Sequence, residues 1–483
     1  MIKALAISII FTATIFAQNA GPEYITVSGD SLVGKILNGE AVREVYGNVV
    51  LTQGNITITC KKAIQFILRN NAELMGNVIV VQENLTITTE RGFYNGNLKQ
   101  AETKSKVRLD DKKVILTADI GDYYFNEDRA YFQDNVQLYD TTTTLTSNVL
   151  NYYKNQNRAV ATGNVKIIDS ENIITADTIE HYRDSRITFA SNRVKITNST
   201  DNIVIYGDHL EDYAQRKYTI INKNPIFIQV DTSFATKQDT TDFAVESDTA
   251  SSIVIDTLVI KAMIMESFRD TTNIFEAKDS VEIVRGAFAS KNDYTIYYKD
   301  DEKIITKKIG ETASQPKLWY ENSQITGDSI LIYLRESKIR LVEINKNSFL
   351  HSQHEIYQSR FDQLSGDKII IDFVDGAIYK TEILGAVYSI YYLYEEDTPN
   401  GLTKSSAQSA EIKFSDNLVS EVRLFGSPTS DYYPENMVEG KEATYLLPQF
   451  VLFANRPSKS NLLQFINNDM KEKIKDDSNE TKQ

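Results

Sequence analysis

The 483-residue chain carries 66 acidic against 52 basic side chains, a formal net charge of −14 and a pI near 5.0. That sign is the opposite of what an anionic duplex requires, which argues against nucleic acid as a partner. With 27 Tyr and 21 Phe against only 8 Pro and 21 Gly, and with abundant Thr, Ile and Val, the composition favours strands and argues against a disordered chain.

At the amino end, Lys3 precedes an apolar run over residues 4–17, broken only by Ser8, Thr12 and Thr14 and followed by Gln18 and Asn19. A bilayer span needs about 20 apolar residues, so this shorter run reads as a signal peptide over residues 1–17, and the mature chain is expected to be exported to the periplasm. The lone cysteine, Cys60, excludes an internal disulfide and lies too far from the cleavage site for a lipoprotein anchor. It shares a column with Thr89, Ala118, Ser147 and Ala176, so a small packed side chain is expected there.

A pattern then repeats every 29 residues. Val49, Val78, Val107, Val136, Val165 and Val194 are six in a row without insertion, and two residues on stand Leu51, Val80, Leu109, Leu138, Ile167 and Ile196. Nine after the valine come Ile58, Ile87, Leu116, Leu145, Ile174 and Ile203; at ten the column is threonine from Thr59 to Thr175; at seventeen Phe66, Tyr124, Tyr153 and Tyr182 are aromatic. Apolar residues two apart share one face of a strand, whereas a helix would need spacings of three and four. Gly47 and Asn48, Gly76 and Asn77, and Gly163 and Asn164, with Asp134 and Asn135 in the same columns, tolerate left-handed backbone and predict a bend or bulge at a fixed place in each strand. Stacked bends would fold the sheet over into a V or a flattened barrel.

Six regular units make a first array over residues 24–230. Residues 231–252, rich in Thr, Asp and Ser, read as a linker or loop. The frame ITADTIEHY at 174–182 returns as ITGDSILIY at 325–333 and LSGDKIIIDF at 364–373, which makes 253–455 a second, diverged array. Residues 456–483 read as a polar tail, a short helix or disordered.

Recurring Asp119, Asp177, Asp208, Asp328 and Asp367 invite a metal or catalytic reading. Stacked units would bring these like charges about one strand spacing, ~4.8 Å, apart, so solvent or local backbone at a corner is the expected partner. His351 and His354 have an HxxH spacing, but residues three apart on a strand point to opposite faces, and a surface position is expected for both. Lys99, Lys104, Lys106, Arg108, Lys112 and Lys113 form a basic patch that reads as edge lysines discouraging strand pairing, or as a contact for an anionic head group. No nucleophile elbow, P-loop, dinucleotide fingerprint or metalloprotease helix is present, and nothing argues for an enzyme, a metal or a cofactor. The remaining chemistry is apolar: an inner face of aliphatic columns either fills with its own side chains or leaves a groove for a hydrophobic ligand. The groove candidates are Val49, Leu51, Val78, Val80, Leu109, Val136, Leu138, Val165, Ile167, Ile174, Val194 and Ile196.

ATGNVKI at 161–167 and ITADTIEHY at 174–182, in six registered copies behind a signal peptide, resemble the repeat of the OstA-like, or organic solvent tolerance, family, and the segment 426–457 resembles the close of its longer members. The resemblance implies an elongated, V-shaped β-jellyroll whose interior carries the acyl chains of lipopolysaccharide across the periplasm. It implies as partners lipopolysaccharide or a related lipid, and other OstA-like domains joined edge to edge. The alternative is a structural or adhesive exported β-solenoid with a filled interior.

Overall fold

A computed structural model describes residues 23–466, apart from 171, 199, 201, 236–251, 337, 375, 416, 417 and 465. The expected signal peptide, most of the expected linker and the end of the tail lie outside the described residues. The chain is all-β: among the described residues, 32 strands pair antiparallel. Contacts divide it into two units. The first runs to Thr141 and takes in Asn148–Asn155; the second takes Thr142–Ser147 and the chain from Gln156 onward.

The strands Arg158–Ile168 and Asn172–Tyr182 show how the sequence sets the geometry. Thr162 pairs with Thr178, but the next pair is Val165 with Ala176, so one strand carries an extra residue at Gly163 and Asn164. Both have positive φ, 76° and 48°, a region open to glycine and tolerated by asparagine. Equivalent register shifts fall between Tyr46 and Val49, Met75 and Val78, Ser191 and Val194, Lys278 and Val281, Asn345 and Ser348, and Leu384 and Val387. Each contains two consecutive left-handed residues, as the Gly-Asn columns predict.

The bulge divides each strand into two halves that join different layers. This is plainest where strands are interrupted: Ile203–Tyr213 pairs its end with Tyr218–Asn222 and its start with Ile226–Ala235. The inward residues of the two layers pack against each other. One cluster joins Ile330, Ile344, Ile369 and Ile383 from the first layer to Leu318, Ile325, Leu364 and Val387 from the second.

Of the recurring aspartates, Asp208 and Asp367 are exposed, as expected, and Asp119, Asp177 and Asp328 differ from expectation. Asn135 donates to Asp119 at 2.6 Å, Arg193 pairs with Asp177 at 2.6 Å, and Asn347 and Gln315 donate to Asp328 at 3.3 and 2.9 Å. Their partners are thus mainly side chains across the strand, at the bulge of the next repeat, because the bulge turns its own side chains toward that carboxylate.

Two further corrections concern segments read as loose. Both ends of the expected linker 231–252 are strand: Ile226–Ala235 and Ser252–Lys261 pair over ten residues, since alternating Ile and Val among the polar residues suffice for a ladder. The expected polar tail begins with a short helix at 459–464, one of the two expected forms, but that helix is packed: Leu462 is 2% exposed against Val259, Ala289 and Trp319.

That packing belongs to a strap over residues 434–466, which crosses the outer face of the second layer in the carboxyl-terminal unit. A continuous cross-strand row lies under it, from Ile228 through Val259, Val284, Ala289, Trp319, Gln324, His351 and Gln363 to Ile390. The polar members hold the strap. Gln324 donates to the Val451 carbonyl at 2.8 Å and accepts from the Phe453 N–H at 3.0 Å; Gln363 accepts from the Leu447 N–H at 2.7 Å. Arg360, 3% exposed, pairs with Glu435 and lies 5.2 and 5.3 Å from the rings of Tyr357 and Tyr392.

Gly47→Ala is expected to destabilise the first unit by about 1–2 kcal/mol, the cost of a side chain in left-handed backbone, because its Cβ would also stand 2.3 Å from Asp30 Oδ2. Gly34→Ala, whose Cβ meets nothing within 4 Å, should leave the melting midpoint within experimental scatter. Trp319 is the sole tryptophan of the chain, so its fluorescence reports on the strap. Gln324→Leu, which removes both strap hydrogen bonds, should red-shift its emission and raise acrylamide quenching; an unchanged spectrum would contradict the pinning role.

Candidate functional site

The space between the layers is the one place where the repeat concentrates apolar residues, and it differs between the units. In the first, Val49, Leu51, Val78, Val80, Leu109, Val136 and Leu138 are all buried, none more than 7% exposed. The space left beside Val80, Tyr123 and Phe132 is about 20 Å³, room for about one water. Its filling comes from residues that sequence reasoning passed over. Tyr94, Tyr123 and Tyr152, sixteen after the repeat valine, and Phe132 are the largest fully buried side chains, at 1–2% exposure. Tyr94 donates to Gln53 at 2.5 Å and Tyr152 to Asp111 at 2.6 Å, so each buried hydroxyl is satisfied. Burial pushes the phenols of Tyr94 and Tyr123 well above their ordinary value.

In the second unit the corresponding column continues with His181, and inward neighbours such as Ala161, Thr188, Ala190 and Thr219 are small. Val165, Ile167 and Val194 remain buried, but Ile174 and Ile196 are only half-buried, and with Ile203, Ile205 and Leu210 they line a cavity of about 150 Å³. Farther along, a cavity of about 640 Å³ is walled by Leu258, Ile283, Phe288, Ile304, Ile332, Leu334 and Phe373. Ser290, Thr295 and Thr306 give it a polar strip, and the Thr306 hydroxyl is buried without a hydrogen-bond partner. Gly286, Glu336 and Gly376, in turns, form its mouth together with Arg285 and Lys338 at the adjoining strand ends. The arrangement offers an apolar slot with cationic side chains at its entrance.

These lining residues belong to the second array, where the sequence signal was weak. Ile283 does fall two residues after Val281, in the aliphatic column, and ITGDSILIY contains Ile332; both could have been carried forward from the frame.

Elsewhere, part of the basic patch is paired: Lys99 with Glu23 at 2.9 Å and Arg108 with Asp110 at 2.9 Å. Lys106 and Arg108 also line a shallow groove of about 740 Å³ on the first unit, with Val78, Ile79, Val107 and Ala118. Cys60 is buried. Among the described residues, no group of three or more His, Cys, Asp or Glu is placed to hold a metal ion, and no helix is long and apolar enough to cross a membrane.

His351 corrects the expected surface position. It is 1% exposed under the strap, with ring centroids of Phe450, Phe361 and Phe349 at 4.8, 5.6 and 6.0 Å. The apolar strap supplies the second buried face that strand alternation alone does not foresee. Burial lowers its pKa to about 4. His354 is half-buried and accepts from the N–H groups of Ile356 and Tyr357 at 3.2 and 3.1 Å.

Residues 25–177 match the family model described as OstA-like protein. No curated protein matches the chain. Among solved structures it is similar to LptH of Pseudomonas aeruginosa, described as the LptA homologous periplasmic component of the conserved lipopolysaccharide transport device. The identity is 16%, over 36% of this chain and 94% of that one, with a TM-score of 0.13, and nothing further is built on that likeness.

Because the folded state keeps His351 neutral while an unfolded histidine titrates near 6.5, the unfolded state binds more protons between those values. Stability from this site is therefore full above pH 6.5 and is lost as pH falls toward about 4. His351→Phe should flatten the pH dependence of Trp319 emission in that window; an equally steep profile would show that another group drives it.

Proposed function

We propose that the protein is a periplasmic lipid-binding bridge or chaperone that carries acyl chains of lipopolysaccharide, or of a related lipid, toward the outer membrane. The observation that carries this reading is the apolar cavity of about 640 Å³ between the layers of the second unit, inside the ~300–1,000 Å³ range of ligand pockets. Shielding an acyl chain of about 12 carbons gains of order 10 kcal/mol gross at ~0.8 per methylene, enough to hold a lipid against the repulsion of a net charge of −14. Arg285 and Lys338 outnumber Glu336 at the mouth, and this local excess of positive charge favours an anionic head group. The OstA-like match over residues 25–177 points the same way.

In this reading the chain has an amino-terminal signal peptide, and its ends dock on other OstA-like domains. The strand Ser31–Leu37 pairs with Glu40–Gln53 on one side and leaves Leu32 and Ile36 52% and 70% exposed. Leu418–Phe425, next to Thr398–Ser415, leaves Val422 and Phe425 about half exposed. Both are edges to which a further strand can add. The filled interior of the first unit favours a structural role for that unit, and the groove candidates Val49, Leu51, Val78, Val80, Leu109, Val136 and Leu138 then serve as its core.

Photo-crosslinking residues at Phe288, Ile304 or Ile332 should capture lipopolysaccharide in the periplasm, and the same residue at Leu109 should not. Absence of adducts at all three cavity positions, with adducts on a known bridge protein in parallel, would exclude the reading and leave an exported structural solenoid.

A further inference from the structure

The aromatic column seventeen residues after the repeat valine has no role in the interior, because it faces outward on the first layer. In the second unit it becomes part of a continuous row. Direct cross-strand pairs run from Tyr182 through Ile187, Tyr213, Tyr218, Phe268 and Ile274 to Tyr298. Ring centroids of Tyr182 and Phe189, Phe189 and Tyr213, Tyr213 and Tyr218, and Tyr218 and Phe268 are 6.3, 6.3, 5.9 and 5.0 Å apart. All five rings are half-buried, so a face or edge of each stays in solvent. From Tyr182 to Phe268 the rings cross five neighbouring strands, roughly 20 Å at ~4.8 Å per strand.

A second row runs beside it, Glu180, Phe189, Glu211, Ile220, Glu266 and Glu276 in direct pairs. The tyrosines are tied to it: Tyr182 donates to Glu180 at 2.7 Å, Tyr213 to Glu211 at 2.7 Å and Tyr218 to Glu266 at 2.6 Å. Arg158 pairs with Glu180 at 2.7 Å, and Lys278 bridges Glu266 and Glu276. Burial opposes ionisation of Glu180 and Glu266, yet these hydroxyl and cationic partners hold both below the usual carboxylate range. The rings are thereby fixed before any ligand arrives, which lowers the ordering cost of binding. Ionised carboxylates accept hydrogen bonds, and each has room for more than one.

The row also lies at a particular place. Asp212 and Arg269, chain neighbours of Tyr213 and Phe268, pair at 2.9 Å and line the 150 Å³ cavity between the layers. The rings therefore cover the outer side of the lip where that interior opens.

We propose that this outer strip binds a saccharide chain: the apolar faces of successive sugar rings stack on Tyr182, Tyr213, Tyr218 and Phe268, and sugar hydroxyls donate to the adjacent glutamates. The inference rests on the reading of the chain as a carrier of lipopolysaccharide-class lipid, whose glycan would emerge at this lip. Charge favours a neutral glycan face over a cationic peptide, because Glu180, Glu266 and Glu276 are already paired with Arg158 or Lys278.

The test titrates the full-length protein with lipid-free polysaccharide released from lipopolysaccharide by mild acid and, separately, with a fluorescent fatty acid displaced by lipid A. The double variant Tyr218→Val and Phe268→Val keeps β-forming residues while removing two rings; it should bind the polysaccharide about tenfold more weakly with unchanged fatty-acid binding, and Phe268→Tyr should retain full binding. Failure of the wild type to bind polysaccharide, or equal binding by the double variant, overturns the proposal. Binding of oligolysine that depends on Glu211 and Glu276 and not on the rings would assign the strip to a cationic partner and overturn it as well. Ring-dependent polysaccharide binding with no fatty-acid binding would instead retain the strip and remove the lipid-carrier reading.

Discussion

Two consecutive left-handed residues at one place in each strand are the constraint on which the rest of the architecture depends. Without the extra residue at Gly163 and Asn164, Arg158–Ile168 would be a single straight strand, and stacking such strands would give one sheet with no interior. With it, each strand enters two layers, every aliphatic column turns inward on both sides of the bend, and the repeat creates an enclosed volume by addition of units. The carboxylates of Asp119, Asp177 and Asp328 close the same joint from the neighbouring strand, which explains why an aspartate recurs beside the bulge.

Given that joint, what the interior can do is decided by side-chain volume. Tyr94, Tyr123, Tyr152 and Phe132 are buried in the first unit, and the space beside Val80, Tyr123 and Phe132 is about 20 Å³. The second unit places Ala161, Thr188, Ala190 and Thr219 at inward positions of the same layer, and the walls there leave space. The same backbone plan thus yields a core in one unit and a slot in the other. The outer faces diverge too: one layer of the second unit carries rings and carboxylates in rows, while the other buries its row from Ile228 to Ile390 beneath the chain's own strap. A strand row with polar Gln324, His351 and Gln363 at its centre is stable there because the strap's backbone satisfies the two glutamines.

The sequence makes the periodic parts legible. A 29-residue interval, apolar residues two apart and Gly-Asn pairs sufficed to read strands, bulges and two facing layers, since each of these is a local property repeated in register. The parts that stayed hidden are not local. Whether Val49 and Leu109 wall a groove or a core depends on tyrosines in another column; whether His351 faces water depends on a segment about 100 residues later; and Leu462 reads as part of a polar tail until Trp319 is seen beneath it. The second array hid its lining residues because insertions between Ile283, Ile304 and Ile332 blur the period while the pairing between strands preserves it.

The central claim is that lipid enters between the layers of the second unit and not of the first. A crystal structure of the full chain with lipid A tests it most directly. The account predicts acyl-chain density between Phe288 and Ile332, with the interior around Val80 and Phe132 unchanged. Acyl density in the first unit, or density confined to an outer face with the 640 Å³ cavity still empty, would contradict it.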